Sequence, residues 1–142
     1  MSTSRISPNL RQKVAEQSRH RCSYCQSQQR IIGIQLTVDH VIPESLGGAT
    51  TLGNLCLACW DCNLVKHNRT TAIDPQSGTI VRLFHPNQQK WGEHFRWSSD
   101  GIRIIGLTPA GRATVVALKL NRPTLLRSRR FWADAGWHPP LQ

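Results

Sequence analysis

The residues best suited to hydrolytic chemistry are concentrated between positions 39 and 67 of the 142-residue chain. An acid and a histidine are adjacent at Asp39 and His40, and two asparagines follow at Asn54 and Asn63. An imidazole can take a proton from water at physiological pH, and carboxylate and amide oxygens suit Mg²⁺ or Mn²⁺. One such cation and one histidine base suffice to hydrolyse a phosphodiester. This segment is therefore a candidate hydrolytic metal centre.

Two CxxC pairs, Cys22/Cys25 and Cys59/Cys62, are separated by 33 residues and bracket the acid–histidine pair. Each CxxC turn can place two thiolates on one ion, and four sulfurs close a tetrahedral zinc shell, so the predicted zinc is structural. A redox CxxC and a pair of disulfides are the alternatives, but neither explains two matched pairs around such a segment. The fifth cysteine, Cys56, alternates with apolar neighbours and is predicted to be a buried strand residue.

Two short strands and a helix must position these side chains. Residues 34–38 alternate with period two, which predicts a strand that delivers Asp39 and His40 at its end. A proline and a Gly-Gly pair predict a loop over residues 42–53, and residues 54–57 read as a second strand, antiparallel to the first.

A helix is predicted to start near Trp60 or Asp61. Asn63 and His67 are four residues apart and would share one face of it. Lys66 lies next to that face and is predicted to contact the backbone of a nucleic acid, although a solvated lysine fits nearly as well. His67 is predicted to contact phosphate or to lie at the helix end, where a cation is favoured, in preference to acting as a further metal ligand.

Outside this segment, helix starts are marked twice by a hydroxyl residue followed by proline. Ser7-Pro8 predicts a helix to about His20, and Thr108-Pro109 predicts one to about Leu120. The remaining expectations are a loose end at 1–6, a strand at 79–84, a hairpin of 95–97 and 102–105 turning at 99–101, and a last helix over 124–135. The aromatic residues of 91–97 are expected to pack rather than to stack on bases.

The formal net charge of +10 predicts attraction to polyanions, nucleic acid first. No acid occurs between Gly101 and Ala133, whereas seven cations do, and we expect phosphate contacts there at Arg127, Arg129 and Arg130. A hydrophobic content of 39% indicates a folded chain, and no apolar run is long enough to span a membrane. The polar residues 1–10 argue against a signal peptide, so a cytoplasmic location is expected.

These motifs together resemble the HNH endonuclease family, in its zinc-stapled ββα-metal branch. The resemblance covers about residues 8–70, and it rests on the order and spacing of the motifs. They are the first CxxC, the strand, Asp39-His40-Val41-Ile42-Pro43, Gly47-Gly48, Asn54-Leu55, and the second CxxC with Asn63 and Lys66. The expected fold is α+β, with a ββα-metal core and a four-cysteine zinc site at 1–72. A basic C-terminal α+β extension at 73–142 is expected to pack on that core.

The resemblance implies a role for each polar residue of the site. Asp39 and Asn63 would hold a single divalent ion, His40 would be the general base, and Asn54 would fix the loop and the imidazole by hydrogen bonds. Cleavage would leave a 5′-phosphate and a 3′-hydroxyl. Many members have histidine where Asn63 stands, so the preferred metal is expected to shift.

The sequence therefore predicts an endonuclease acting on nucleic acid, with duplex DNA favoured, zinc as a structural ion, and Mg²⁺ or Mn²⁺ as the catalytic one. The alternatives are a zinc-containing module that binds DNA or RNA without cutting it, and a ribonuclease. Asp39→Ala is expected to keep the fold and to lose turnover.

Overall fold

The structure is a computed structural model that describes residues 6–141, so the predicted loose end lies, but for residue 6, outside the described residues. The chain divides into two compact units. The first unit is Met1–Thr70 with His85–Gln89, and the second is Thr71–Phe84 with Lys90–Gln142. Each unit contains helices and strands, so the predicted mixed content is confirmed. In the described part of the chain, no helix is long and apolar enough to cross a membrane.

Among the described residues, the first unit holds three α-helices and two strands, with two 3-10 helices between the strands (Glu44–Leu46 and Leu52–Asn54). The α-helices are α1 (Pro8–Gln17), α2 (Gln29–Ile32) and α3 (Trp60–Lys66), and the strands are β1 (Thr37–His40) and β2 (Leu55–Ala58). The predicted start of α1 is confirmed, because the Ser7 hydroxyl accepts a hydrogen bond from the Leu10 amide at 3.1 Å. The helix ends before His20, since Arg19 and His20 both have left-handed backbones, with φ of 56° and 55°.

Strands β1 and β2 form an antiparallel pair in which Asp39 lies opposite Cys56 and His40 opposite Leu55. Strand β1 begins later than predicted, and Asp39 and His40 are its last two residues, so they lie at its end as expected. The shift has a local cause, because the Leu36 amide donates to the side-chain carbonyl of Gln29 at 2.9 Å instead of to a strand. Every residue of β2 is buried, which confirms the prediction for Cys56.

The second unit holds two antiparallel strand pairs and three helices. They are β3 (Thr71–Ile73) with β4 (Ile80–Arg82), α4 (Trp91–His94), β5 (Phe95–Trp97) with β6 (Ile104–Gly106), α5 (Pro109–Ala117) and α6 (Pro123–Asp134). The predicted cap of α5 is confirmed, since the Thr108 hydroxyl accepts from the Gly111 amide at 3.0 Å. Strand β3 was not predicted.

Aromatic rings fill much of the interior of the second unit. Phe84 and Phe95 meet edge to face with centroids 5.1 Å apart, and both are buried. Trp91 lies 5.1 Å from Phe95 and 5.5 Å from Trp97, centroid to centroid. The aromatic residues of the 91–97 stretch therefore pack together, as expected.

Candidate functional site

The four cysteines of the two CxxC pairs converge in the first unit. All four are buried, and their sulfur atoms lie within 4.8 Å of one another. Cys59 caps α3 and Cys62 lies in its first turn, while Cys22 and Cys25 form a turn ahead of α2. The Cys25 and Cys59 sulfurs are 3.7 Å apart, against about 3.8 Å for two thiolates on a tetrahedral zinc. None of the five cysteines, all of which lie in the described residues, forms a disulfide, so the cluster could hold a zinc ion.

Local hydrogen bonds shape both cysteine turns for thiolate ligands. The amide of Cys25 donates to the Cys22 sulfur at 3.5 Å, and that of Cys62 to the Cys59 sulfur at 3.4 Å. Burial raises the pKa of Cys22, whereas the hydrogen bond from Cys22 lowers that of Cys25. A dication is the natural partner of such a cluster because it stabilises all four as thiolates.

Asp39 is 6% exposed and its carboxylate is held by two donors that the sequence did not indicate. The Tyr24 hydroxyl donates to Oδ2 at 3.0 Å, and the Lys66 ammonium lies 3.1 Å from the same oxygen. Burial raises the pKa of Asp39, and the Lys66 ammonium opposes that rise. Among the described residues, both contacts end on Oδ2, which leaves Oδ1 for a further partner.

Lys66 corrects the prediction of a contact with the nucleic-acid backbone. Its side chain is only 2% exposed. Besides the ion pair with Asp39, its ammonium donates to the main-chain carbonyl of His40 at 3.2 Å. Lys66 therefore ties the end of α3 to β1 and is not available to a phosphate.

The imidazole of His40 is oriented by two residues of the following loop. Its Nε2 lies 2.9 Å from the Thr50 hydroxyl and 3.4 Å from the Glu44 carboxylate. A carboxylate only accepts hydrogen bonds, so it favours the tautomer with the proton on Nε2 and a free lone pair on Nδ1. In that tautomer Nδ1 can accept a proton. Asn54 was expected to fix both the loop and the imidazole by hydrogen bonds; its side chain bonds to the loop, whereas the ring contacts come from Thr50 and Glu44.

Asn54 holds the loop that follows His40. Its side-chain carbonyl accepts from the Ile42 amide, and its Nδ2 donates to the carbonyls of Ile42 and Ala49, each at 2.9 Å. Gly48 makes this closure possible, since a Cβ there would lie 1.7 Å from the Ile42 oxygen. Gly47 supplies the left-handed turn, with φ of 88°. The Gly-Gly pair and Asn54 thus act together to close the loop.

Asp39, His40, Asn63 and His67 all line one groove of about 460 Å³. Asn63 comes from the middle of α3, whereas His67 follows the helix as its cap with a positive φ of 52°. The groove brings the two side chains together, although His67 is not part of the helical face. Asn54 and Lys66 are not in the lining. Glu44 and Asn68 also line it, so the groove combines two carboxylates, two amides and two imidazoles, a donor set that can hold a hard cation and transfer a proton.

Three residues of the site were missed at the sequence level, namely Tyr24, Glu44 and Thr50. Glu44 had a usable signal, because it follows His40 by four residues in a loop that must fold back. Tyr24 lies between the cysteines of the first pair, and only the convergence of the two pairs brings it to Asp39.

The three arginines of α6 that were predicted to contact phosphate differ in burial. Arg127 and Arg130 are exposed. Arg129 corrects its prediction, because it is fully buried and donates to the carbonyls of Ile102 and Leu120 at 3.0 and 2.8 Å. Its guanidinium also lies 5.1 Å from the Trp97 ring centroid. Arg129 is therefore part of the core of this unit.

The buried Asp39–Lys66 pair also changes the expectation for Asp39→Ala. We expect this variant to lose about 3–5 kcal/mol of stability, because it leaves Lys66 as an unpaired buried charge. The double variant Asp39→Ala/Lys66→Met should recover most of that loss, since it removes both charges. Urea unfolding of the two variants tests this, and equal midpoints would show that the pair contributes little.

A protein-family model matches the part of the chain that holds this site. The family model described as HNH endonuclease matches residues 22–69, about a third of the chain. The match includes both cysteine pairs and the groove residues Asp39 to His67. No curated protein and no solved structure gave a significant match. HNH nucleases act on nucleic acids, and the resemblance inferred from the motifs is confirmed: residues 22–69 carry the HNH endonuclease pattern.

Proposed function

We propose that the chain is a metal-dependent endonuclease that hydrolyses phosphodiester bonds in DNA with one catalytic ion. The observation that carries this proposal is the shared groove of Asp39, His40 and Asn63 in the first unit. Strands β1 and β2 and helix α3, which supply these residues, would form the ββα-metal core. The match to a nuclease family supports the same activity.

The cysteine cluster would hold a structural zinc. Four thiolates complete its tetrahedral shell, so no coordination position remains for water or substrate. The zinc would join the Cys22–Cys25 turn to the start of α3, the helix that carries Asn63. Its role in catalysis is therefore to keep the groove in shape.

Asp39 and Asn63 would hold the divalent ion, Mg²⁺ or Mn²⁺. Their carboxylate and amide oxygens are hard ligands, and two protein ligands leave room for waters and for a phosphate. Tyr24 and Lys66 hold the Asp39 carboxylate through Oδ2. Binding of the ion would therefore not have to restrict the rotation of this side chain. The bound ion would stabilise the negative charge that develops on the phosphoryl and leaving oxygens.

His40 would act as the general base. Glu44 and Thr50 hold its Nε2 side, and Nδ1 would take the proton from the attacking water. Glu44 also stabilises the imidazolium that results, in the way an acid supports a histidine base. His67, at the rim of the groove, and the exposed Arg127 and Arg130 would contact phosphates of the substrate, and the basic extension from residue 73 onward would add affinity for DNA.

Nicking of a supercoiled plasmid tests the proposed activity. We expect wild-type protein to convert it to open circles with added Mg²⁺ and to leave it intact without the ion. Omission of Mg²⁺ is preferable to a chelator, which would also remove a zinc. The control Asp39→Asn keeps the shape of the residue but removes the charge that binds the cation, so it should nick at most slowly. Binding without nicking under all these conditions would favour a non-catalytic nucleic-acid-binding module, and faster cleavage of RNA than of duplex DNA would contradict the DNA assignment.

A further inference from the structure

A second concave site lies in the first unit, apart from the groove of His40. It is a cleft of about 780 Å³ beside α2, which we call the arginine cleft. Its polar lining consists of Arg19, His20, Gln28, Gln29, Arg30 and Gln35. No acid lines it, and none occurs anywhere between Glu16 and Asp39. The cleft thus carries the positive charge of two arginines, and its other polar side chains are three amides and the imidazole of His20.

The backbone brings its two arginines together. Arg21 and Gln28 form an antiparallel bridge, and the Gln29 amide donates to the His20 carbonyl at 2.9 Å. Arg19 precedes this contact on one segment, Arg30 follows it on the other, and both line the cleft. Like charges that line one cleft repel each other. Neither guanidinium has an ion pair or a hydrogen bond with any residue from 6 to 141, so the chain itself does not compensate the repulsion.

The cost of this arrangement is increased by the backbone of Arg19 and His20. Both are left-handed, a conformation that is unfavourable for a residue with a Cβ. The amides of Arg19 and His20 are held by the carbonyls of Glu16 and Ala15 at 3.0 and 2.9 Å. The helix dipole favours a cation such as Arg19 near the C-terminal end of α1. This effect gives no reason for a second arginine at position 30.

Arg21, next to the cleft, adds a third cation. It is 8% exposed, and no acid of the described chain pairs with it. Burial lowers its pKa, and the neighbouring Arg19 lowers it further. Three guanidiniums without a counter-charge in one preformed region are the arrangement expected of an anion-binding surface.

We propose that the arginine cleft binds the phosphodiester backbone of the nucleic-acid substrate at a second point, outside the groove of His40. This inference rests on the proposed function. Gln35 in the cleft and Asp39 in the groove are four residues apart, so their Cα atoms are at most about 14 Å apart. That span equals about four nucleotides along one strand of B-form DNA. One substrate molecule can therefore occupy both sites.

The test is the salt dependence of binding to a short fluorescent DNA duplex, measured by anisotropy between about 50 and 200 mM KCl. All proteins carry His40→Ala and no Mg²⁺ is added, so binding is separated from cleavage. We expect Arg19→Gln/Arg30→Gln to reduce the slope of log K against log salt concentration by about 0.9 for each lost phosphate, or about 1.8 in total. Zinc content and circular dichroism check that the variant is folded.

Arg11→Gln/Lys13→Gln is the matched control. It removes the same charge from exposed positions of α1 in the same unit, and its slope should equal that of the parent protein. Equal changes in both variants would overturn the proposal, because they would indicate general charge attraction. Displacement of the duplex by inorganic phosphate at constant ionic strength would also overturn it, since the cleft would then be a site for the free ion. If the slopes change as expected but the wild-type protein does not nick DNA, the cleft proposal would be supported and only the proposed function would be refuted.

Discussion

Replacing His40 with alanine is expected to slow plasmid nicking about 10²- to 10⁴-fold, the usual contribution of a general base. The expected loss lies in the chemical step, because the imidazole is the group proposed to take the proton from water. Substrate affinity should change little. Initial nicking rates at saturating Mg²⁺, with duplex affinity measured alongside, give the two effects separately.

His67→Ala is the matched comparison, because His67 lines the same groove but is exposed at the helix end. Its loss should remain within about tenfold, as expected for one exposed contact to a phosphate. Added imidazole should restore part of the activity of His40→Ala and none of that of His67→Ala. Equal rates for His40→Ala and wild type would remove His40 from the role of base.

Cys59→Ser is expected to unfold the first unit rather than to slow the reaction. The change removes one of four proposed zinc ligands, and it also alters the cap of α3, where the Cys59 sulfur accepts from the Cys62 amide. Structural zinc contributes roughly 10–16 kcal/mol of binding free energy in small zinc domains, more than the stability of a typical domain. Zinc content per chain and thermal unfolding are the two measurements.

Cys56→Ala provides the control for this change. Cys56 is as deeply buried as the other cysteines, but it lies in β2 and outside the four-sulfur cluster. The Cys56→Ala variant should keep the proposed zinc and lose only the packing of the small Cys56 side chain. A Cys59→Ser protein that melts at the wild-type temperature would contradict the zinc assignment.

Local signals accounted for much of the fold. The starts of α1 and α5 were predictable because a hydroxyl followed by proline satisfies the first amides of a helix within a few residues. The cysteine cluster was predictable because the metal chemistry of two CxxC pairs constrains four side chains at once. Strand β3 was missed, since three residues beside a turn carry almost no periodicity.

Lys66 and Arg129 show what the sequence could not provide. Charged residues are placed at the surface by default, and only distant partners make burial possible. For Lys66 the partner is Asp39 on β1, and for Arg129 the partners are carbonyls of Ile102 and Leu120. Neither set follows from spacing, because both depend on how separate elements pack.

The Lys66 ammonium beside Asp39 affects when the proposed divalent ion would bind. A carboxylate that is already neutralised attracts a second cation weakly, so free protein should hold its catalytic ion loosely even in abundant Mg²⁺. The phosphate of an incoming strand supplies the missing negative charge. The ion and the nucleic-acid strand would then bind together. A substrate without a phosphodiester would not promote binding of the ion, so the protein would hydrolyse it poorly.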